Sequence, residues 1–155
     1  MEHDCCEHPL PFDLDALSTT LESWGFPFNR DEHRLSMTLP GKNGDLNFHI
    51  NVMNDGQGQP CMLRLLSYSP SWSPIKAGLD RHALLHYMNH RNAAAIMGRH
   101  FVDENTGKAA FEITVYSSYG VFEKDLQDLI WFTVHEADET ISHLTDLARI
   151  PSDVH

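Results

Sequence analysis

The 155-residue chain is 41% hydrophobic and 21% charged, the size and balance of one globular domain with its own core. Twenty-two acidic against eleven basic residues leave a formal charge of −11, a field that repels nucleic-acid backbones and anionic membrane surfaces. Three cysteines form no disulfide framework, and no stretch approaches the ~20 apolar residues of a membrane span.

The opening MEHDCCEHPLPFD lacks the basic start and apolar run of a signal peptide, so the expected setting is the cytoplasm. Residues 1–11 are expected to form a mobile tail and residues 12–150 a single domain. Within the tail, HDCCEH (3–8) holds four soft potential ligands, but adjacent Cys5 and Cys6 strain a shared tetrahedral metal site. A short amphipathic helix begins after Asp13, its expected N-cap, with Leu14, Leu17, Leu21 and Trp24 at helical spacing. Gly25 and Pro27 stop it.

Leu35, Met37 and Leu39 then alternate with polar residues, as do Leu46, Phe48, Ile50 and Val52, the period of strands with one buried face. The glycine-rich stretches PGKNGD (40–45) and NDGQGQP (54–60) read as turns between antiparallel neighbours. CMLRLLSYS (61–69) is apolar nearly throughout, as a central strand is. After the crossing PSWSPIKAGL (70–79), Asp80 caps a second helix running to Asn92 or Ala95. RHFVDENTGKAAFEITVY (99–116) reads as a hairpin whose turn uses Gly107 for a positive φ. A long helix from about Phe122 to Ala148 ends the chain. The order α-β-β-β-α-β-β-α is an α+β fold, an antiparallel sheet with helices packed mainly on one face.

In the second helix His82, His86 and His90 fall four apart and point away from Leu84, Leu85, Tyr87 and Met88. Catalytic zinc sites need a third protein ligand and commonly a carboxylate, as in H-E-x-x-H; here Tyr87, Met88 and Asn89 intervene without a glutamate. An exposed or subunit-lining face is the expected role of this column. A metal-dependent enzyme or metal sensor built on it is the alternative from another functional class. No nucleophile elbow, phosphate loop or dinucleotide fingerprint occurs, so no catalytic residue, cofactor or metal is expected. Glu136, Asp138 and Glu139 on the last helix read as a solvated charged face.

The stretch LLHYMNHRNAAAIMGRHFVDENTGKAAFEI (84–113) resembles the YbjN family, also described as bacterial sensory-transduction regulator-like proteins. Its hallmark is a leucine-rich helix end with an N-x-x-N pair, a small-residue connection, and a hairpin with an acidic-glycine turn. The matching positions are Leu84, Leu85, Asn89, Asn92, Gly98, Phe101, Asp103 and Gly107. Element order agrees from about residue 12 to 148. The resemblance implies a fold similar to that of type III secretion chaperones. It also implies a non-catalytic, homodimeric protein that binds another polypeptide in a chaperone-like or regulatory role, with a dedicated secretion chaperone as its nearest variant. Neither nucleic acid nor membrane is an expected partner.

Physically, Asn89 and Asn92 lie three apart near a helix C-terminus, where carbonyls lack partners, and each is expected to tie the helix end to the loop entering Met97 and Gly98. On the last helix, Phe122, Leu126, Leu129, Ile130, Val134, Ala137, Ile141, Leu144 and Ala148 form a core-facing stripe. Trp131 lies at its edge and Phe132 behind it among charges. Both, with Trp72 in its proline-flanked loop, are candidate partner or dimer contacts; for Trp72 the simpler reading is a ring tucked over the core.

Overall fold

The computed structural model describes residues 8–149. It contains α1 (Leu14–Ser23), β1 (Asn29–Arg30), β2 (Arg34–Gly41), β3 (Gly44–Asn54), β4 (Pro60–Tyr68), α2 (Arg81–Ala94), β5 (Arg99–Val102), β6 (Ala109–Tyr116) and α3 (Glu123–Arg149). The strands make one antiparallel sheet in the order β1-β2-β3-β4-β6-β5, so the apolar β4 is internal, as its composition requires. The two-residue β1 is additional to the expected elements. It is too short to carry a period and is held by pairing with Leu35 and Ser36, while the Arg30 guanidinium reaches Asp15 of α1 at 2.6 Å.

Register explains the core. Leu35, Ile50, Leu65 and Ile113 are direct neighbours across β2, β3, β4 and β6, and Met37, Phe48, Ser67 and Phe111 form the next row. Because side chains alternate along a strand, both rows face the same side. There they meet Leu17 and Leu21 of α1 and Leu126, Ile130, Val134, Ala137 and Ile141 of α3. Truncating a fully buried leucine here costs about 2–5 kcal/mol. Asp13 caps α1, its carboxylate accepting from the amides of Asp15 and Ala16.

The helix α2 sits at the β5 margin, where Leu84 and Met88 pack with Ala109 and Leu144 in a smaller cluster. Asp80 caps it through the Ala83 amide. Leu85, expected toward the core, is 47% exposed, because a marginal helix buries only a narrow stripe. Cys5 and Cys6 lie outside the described residues. Leu10 exchanges two backbone hydrogen bonds with Val121, at 2.7 and 2.9 Å, which ties the chain to the start of α3 before α1 begins.

Candidate functional site: a braced edge and an uncovered sheet face

The two asparagines of the N-x-x-N pair divide. Asn92 turns its amide onto β5: its Nδ2 donates to the His100 carbonyl at 2.9 Å, and its Oδ1 accepts from the His100 amide at 2.6 Å. One side chain thereby pairs with the outer edge of an edge strand as another strand's peptide would. The anchor is one element further on than expected, on β5 rather than the loop at Met97 and Gly98. Asn89 is exposed and takes no part in this contact. Gly98 has φ +76°, and a Cβ there would lie 2.4 Å from the Phe111 ring and 2.7 Å from the Glu112 carbonyl. Asp103 organises the β5–β6 turn by accepting from the Asn105 amide, and Gly107 closes it at φ +68°.

Beneath this brace His100 is buried. Its Nε2 lies 3.1 Å from Glu136, which as a carboxylate can only accept, so this nitrogen carries the proton. Its Nδ1 meets the Thr140 hydroxyl at 3.1 Å. Burial pushes the imidazole below its ordinary range, and nearby Arg91 adds to that against the opposing pull of Glu136. Arg91 itself bridges from α2 to Glu136 at 2.9 Å and Glu139 at 3.7 Å.

The acidic residues of α3 are therefore not one solvated face. Asp138 is buried and accepts hydrogen bonds from the Lys42 and Asn43 amides at 2.9 and 3.2 Å, clamping the β2–β3 turn. The partners of Glu136 and Asp138 come from 36 to 96 residues away in the chain, which helical spacing cannot reveal. Phe132, placed by its helical angle among charges, is half-buried and packs edge-on against Phe111 with centroids 5.9 Å apart. Trp72 packs against both apolar clusters. Trp131 remains 41% exposed beside Phe26. His82, His86 and His90 are all exposed, and among the described residues no three His, Cys, Asp or Glu side chains are gathered as metal ligands.

All three helices meet the sheet on the face described above, and among the described residues no helix covers the other. That second face carries Ser36, His49, Leu66, Glu112 and Arg99 in one row, with Asn47, Tyr68, Ala110 and Phe101 in the next. At its centre the His49 ring stacks on Tyr68 at 5.4 Å and 11°, with Nε2 2.9 Å from the tyrosine hydroxyl and Nδ1 3.0 Å from Ser36. Burial lowers the affinity of this imidazole for a proton, and Arg34 lowers it further. The buried Glu112 carboxylate accepts from both Arg64 and Arg99. Lys108 bonds the Pro70 carbonyl at 2.7 Å and lies 5.4 Å from the Tyr68 ring centre.

A depression of about 310 Å³ opens on this face between β2 and the β5–β6 turn, and a second, of about 460 Å³, adjoins it at His49. Sequence reasoning missed this surface. Its signal was the polar half of each period-two strand, scattered over five strands and meaningless until the register is known.

Compared with known proteins, residues 13–146 match the family described as "YbjN: Putative bacterial sensory transduction regulator". The comparison with curated proteins gave no match. Among solved structures the chain is similar to "Crystal structure of YbjN, a putative transcription regulator from E. coli", with 18% identity and a TM-score of 0.57. The likeness spans 89% of this chain and 91% of that one, and it is a likeness of fold.

Proposed function

The chain belongs to the YbjN family, and from that premise we propose that it is a non-catalytic regulatory protein of the cytoplasm that binds another polypeptide on the uncovered face of the sheet. The observation that carries this reading is the one-sided sheet. A six-stranded sheet with helices on one side leaves Leu66, Tyr68 and Phe101 half-buried on the other, interleaved with fixed cations. Half-buried apolar residues among oriented polar groups are the composition of a recognition surface. The cations select for segments carrying acidic side chains, against the repulsion of a chain whose net charge is −11. The protein is proposed to work as a homodimer, which sedimentation at micromolar concentration checks against twice the protomer mass.

The test is affinity capture from native cytosol with the wild-type chain and with Leu66→Asp. Polypeptides retained by the first and lost by the second, at an unchanged denaturation midpoint, support the reading. Identical retention by both removes this face from it.

A further inference from the structure

The depression between β2 and the β5–β6 turn has the makings of a site for something smaller than a polypeptide. Three of the chain's eleven Lys and Arg residues line it, Arg34, Arg64 and Lys108, against a single carboxylate, Asp103. Glu112 and Asp31 pair with the two arginines from beside it, and Arg99 shares Glu112, so four cations stand against three carboxylates. In a chain with twice as many acidic as basic residues, this local reversal of sign favours an anionic guest.

Two of the cations, Arg64 and Lys108, are also held in place. Arg64 commits Nε and Nη2 to the buried Glu112, leaving Nη1. Arg34 leans on Asp31 through Nε at 3.5 Å, leaving both terminal nitrogens. Lys108 gives one N–H to the Pro70 carbonyl and keeps two. The anchors of Arg64 and Lys108 thus orient their cations while sparing donors, so little ordering of these two remains for a ligand to bring about, and the more exposed Arg34 adds its charge beside them. Asp103, the one carboxylate in the lining itself, is already engaged with the Asn105 amide of its own turn.

Size and lining set the rest of the ligand. About 310 Å³ is many times the volume of a bare oxyanion, and it lies at the lower end of the range of small-molecule pockets, roughly 300–1,000 Å³. Leu66, Ala110 and Phe101 supply an apolar floor, while Tyr68 and Thr106 offer hydroxyl contacts. Burial lowers the proton affinity of the His49 imidazole, and both its nitrogens are taken by Tyr68 and Ser36, so its part is to hold the Tyr68 hydroxyl in place.

We propose that this depression binds a small organic oxyanion, a phosphate monoester or a compound of similar charge and size, as an effector of the regulatory protein. The site goes beyond the polypeptide-binding reading and does not need it: the oxyanion binds the isolated chain, whether or not the same face also accepts a partner.

The experiment is a ¹⁵N–¹H NMR titration of the full chain at pH 7.5 and constant ionic strength with phenyl phosphate, inorganic phosphate and phenol as probes. Phenyl phosphate is expected to give saturable shifts at the amides of His49, Leu66, Thr106 and Lys108, with inorganic phosphate weaker and phenol silent. Arg34→Gln, at an exposed position, is expected to weaken phenyl phosphate about fivefold or more, as loss of one charge-assisted contact does. Lys108→Gln does the same at an unchanged denaturation midpoint. Non-saturating shifts, phenol binding as well as phenyl phosphate, or both variants binding like wild type would overturn the proposal. Inorganic phosphate binding as tightly as phenyl phosphate would overturn its organic part. Failure of this titration leaves the capture experiment with Leu66→Asp untouched, so the two ideas fall separately.

Discussion

Replacing Asn92 by alanine removes the only side chain of the N-x-x-N pair that reaches β5. Two hydrogen bonds are lost, the 2.9 Å donation to the His100 carbonyl and the 2.6 Å acceptance from its amide. Each is worth about 1 kcal/mol net, and a backbone group left without a partner costs about 1–3 kcal/mol when water cannot reach it. The contact is part-buried, so water repairs some of the loss, and about 2 kcal/mol is the expected total. For a chain of this length that lowers Tm by about 4–8 °C. The neighbouring Asn89→Ala is the internal control: exposed and outside the contact, it should stay within about 0.5 kcal/mol of wild type. Urea denaturation of both variants, with calorimetry as a second probe, reads the difference. Equal effects from the two substitutions would refute the idea that Asn92 alone braces the strand.

Gly98→Ala combines a disfavoured φ of +76° with a collision against the Phe111 ring, and should cost about 3 kcal/mol or more in the same denaturation assay. Phe132→Asp is expected to destabilise the fold by about 3 kcal/mol, because it opens the Phe111 contact. A variant that keeps its midpoint but halves its sedimentation mass would instead restore Phe132 as a dimer contact. His49 and His100 both bind protons more weakly in the folded chain than in the unfolded one, whose imidazoles titrate near 6.5. The unfolded state therefore takes up more protons below that value, so stability is complete above pH 6.5 and declines as pH falls from there. Urea midpoints measured from pH 7.5 to 5 should fall, and the fall should be shallower in His100→Gln; a flat profile would contradict the burial of both rings.

The parts of the fold written in local periods were legible. Asp13 and Asp80 mark helix starts because capping is a property of three or four consecutive residues, and Leu35 to Val52 mark strands because alternation is local too. What the sequence could not show is which distant groups meet. Asp138 looks like a surface charge until the β2–β3 turn folds over it, and Phe132 looks peripheral until Phe111 arrives beneath it. The N-x-x-N motif was visible, yet only the position of β5 reveals that one amide pairs with a strand edge while the other faces solvent. The cationic depression needed most of all, since Arg34, Arg64 and Lys108 come together only through the register of the sheet.

The uncovered face is the centre of this account, and site-specific photocrosslinking in the native cell tests it most directly. A photoreactive phenylalanine analogue placed at Thr38 or Asn47 on that face, and at His86 on α2, reports which surface touches other polypeptides. Adducts from Thr38 and Asn47, absent from His86, are the expected result. Adducts from His86 alone would contradict it and move the working surface of the protein to the histidine column.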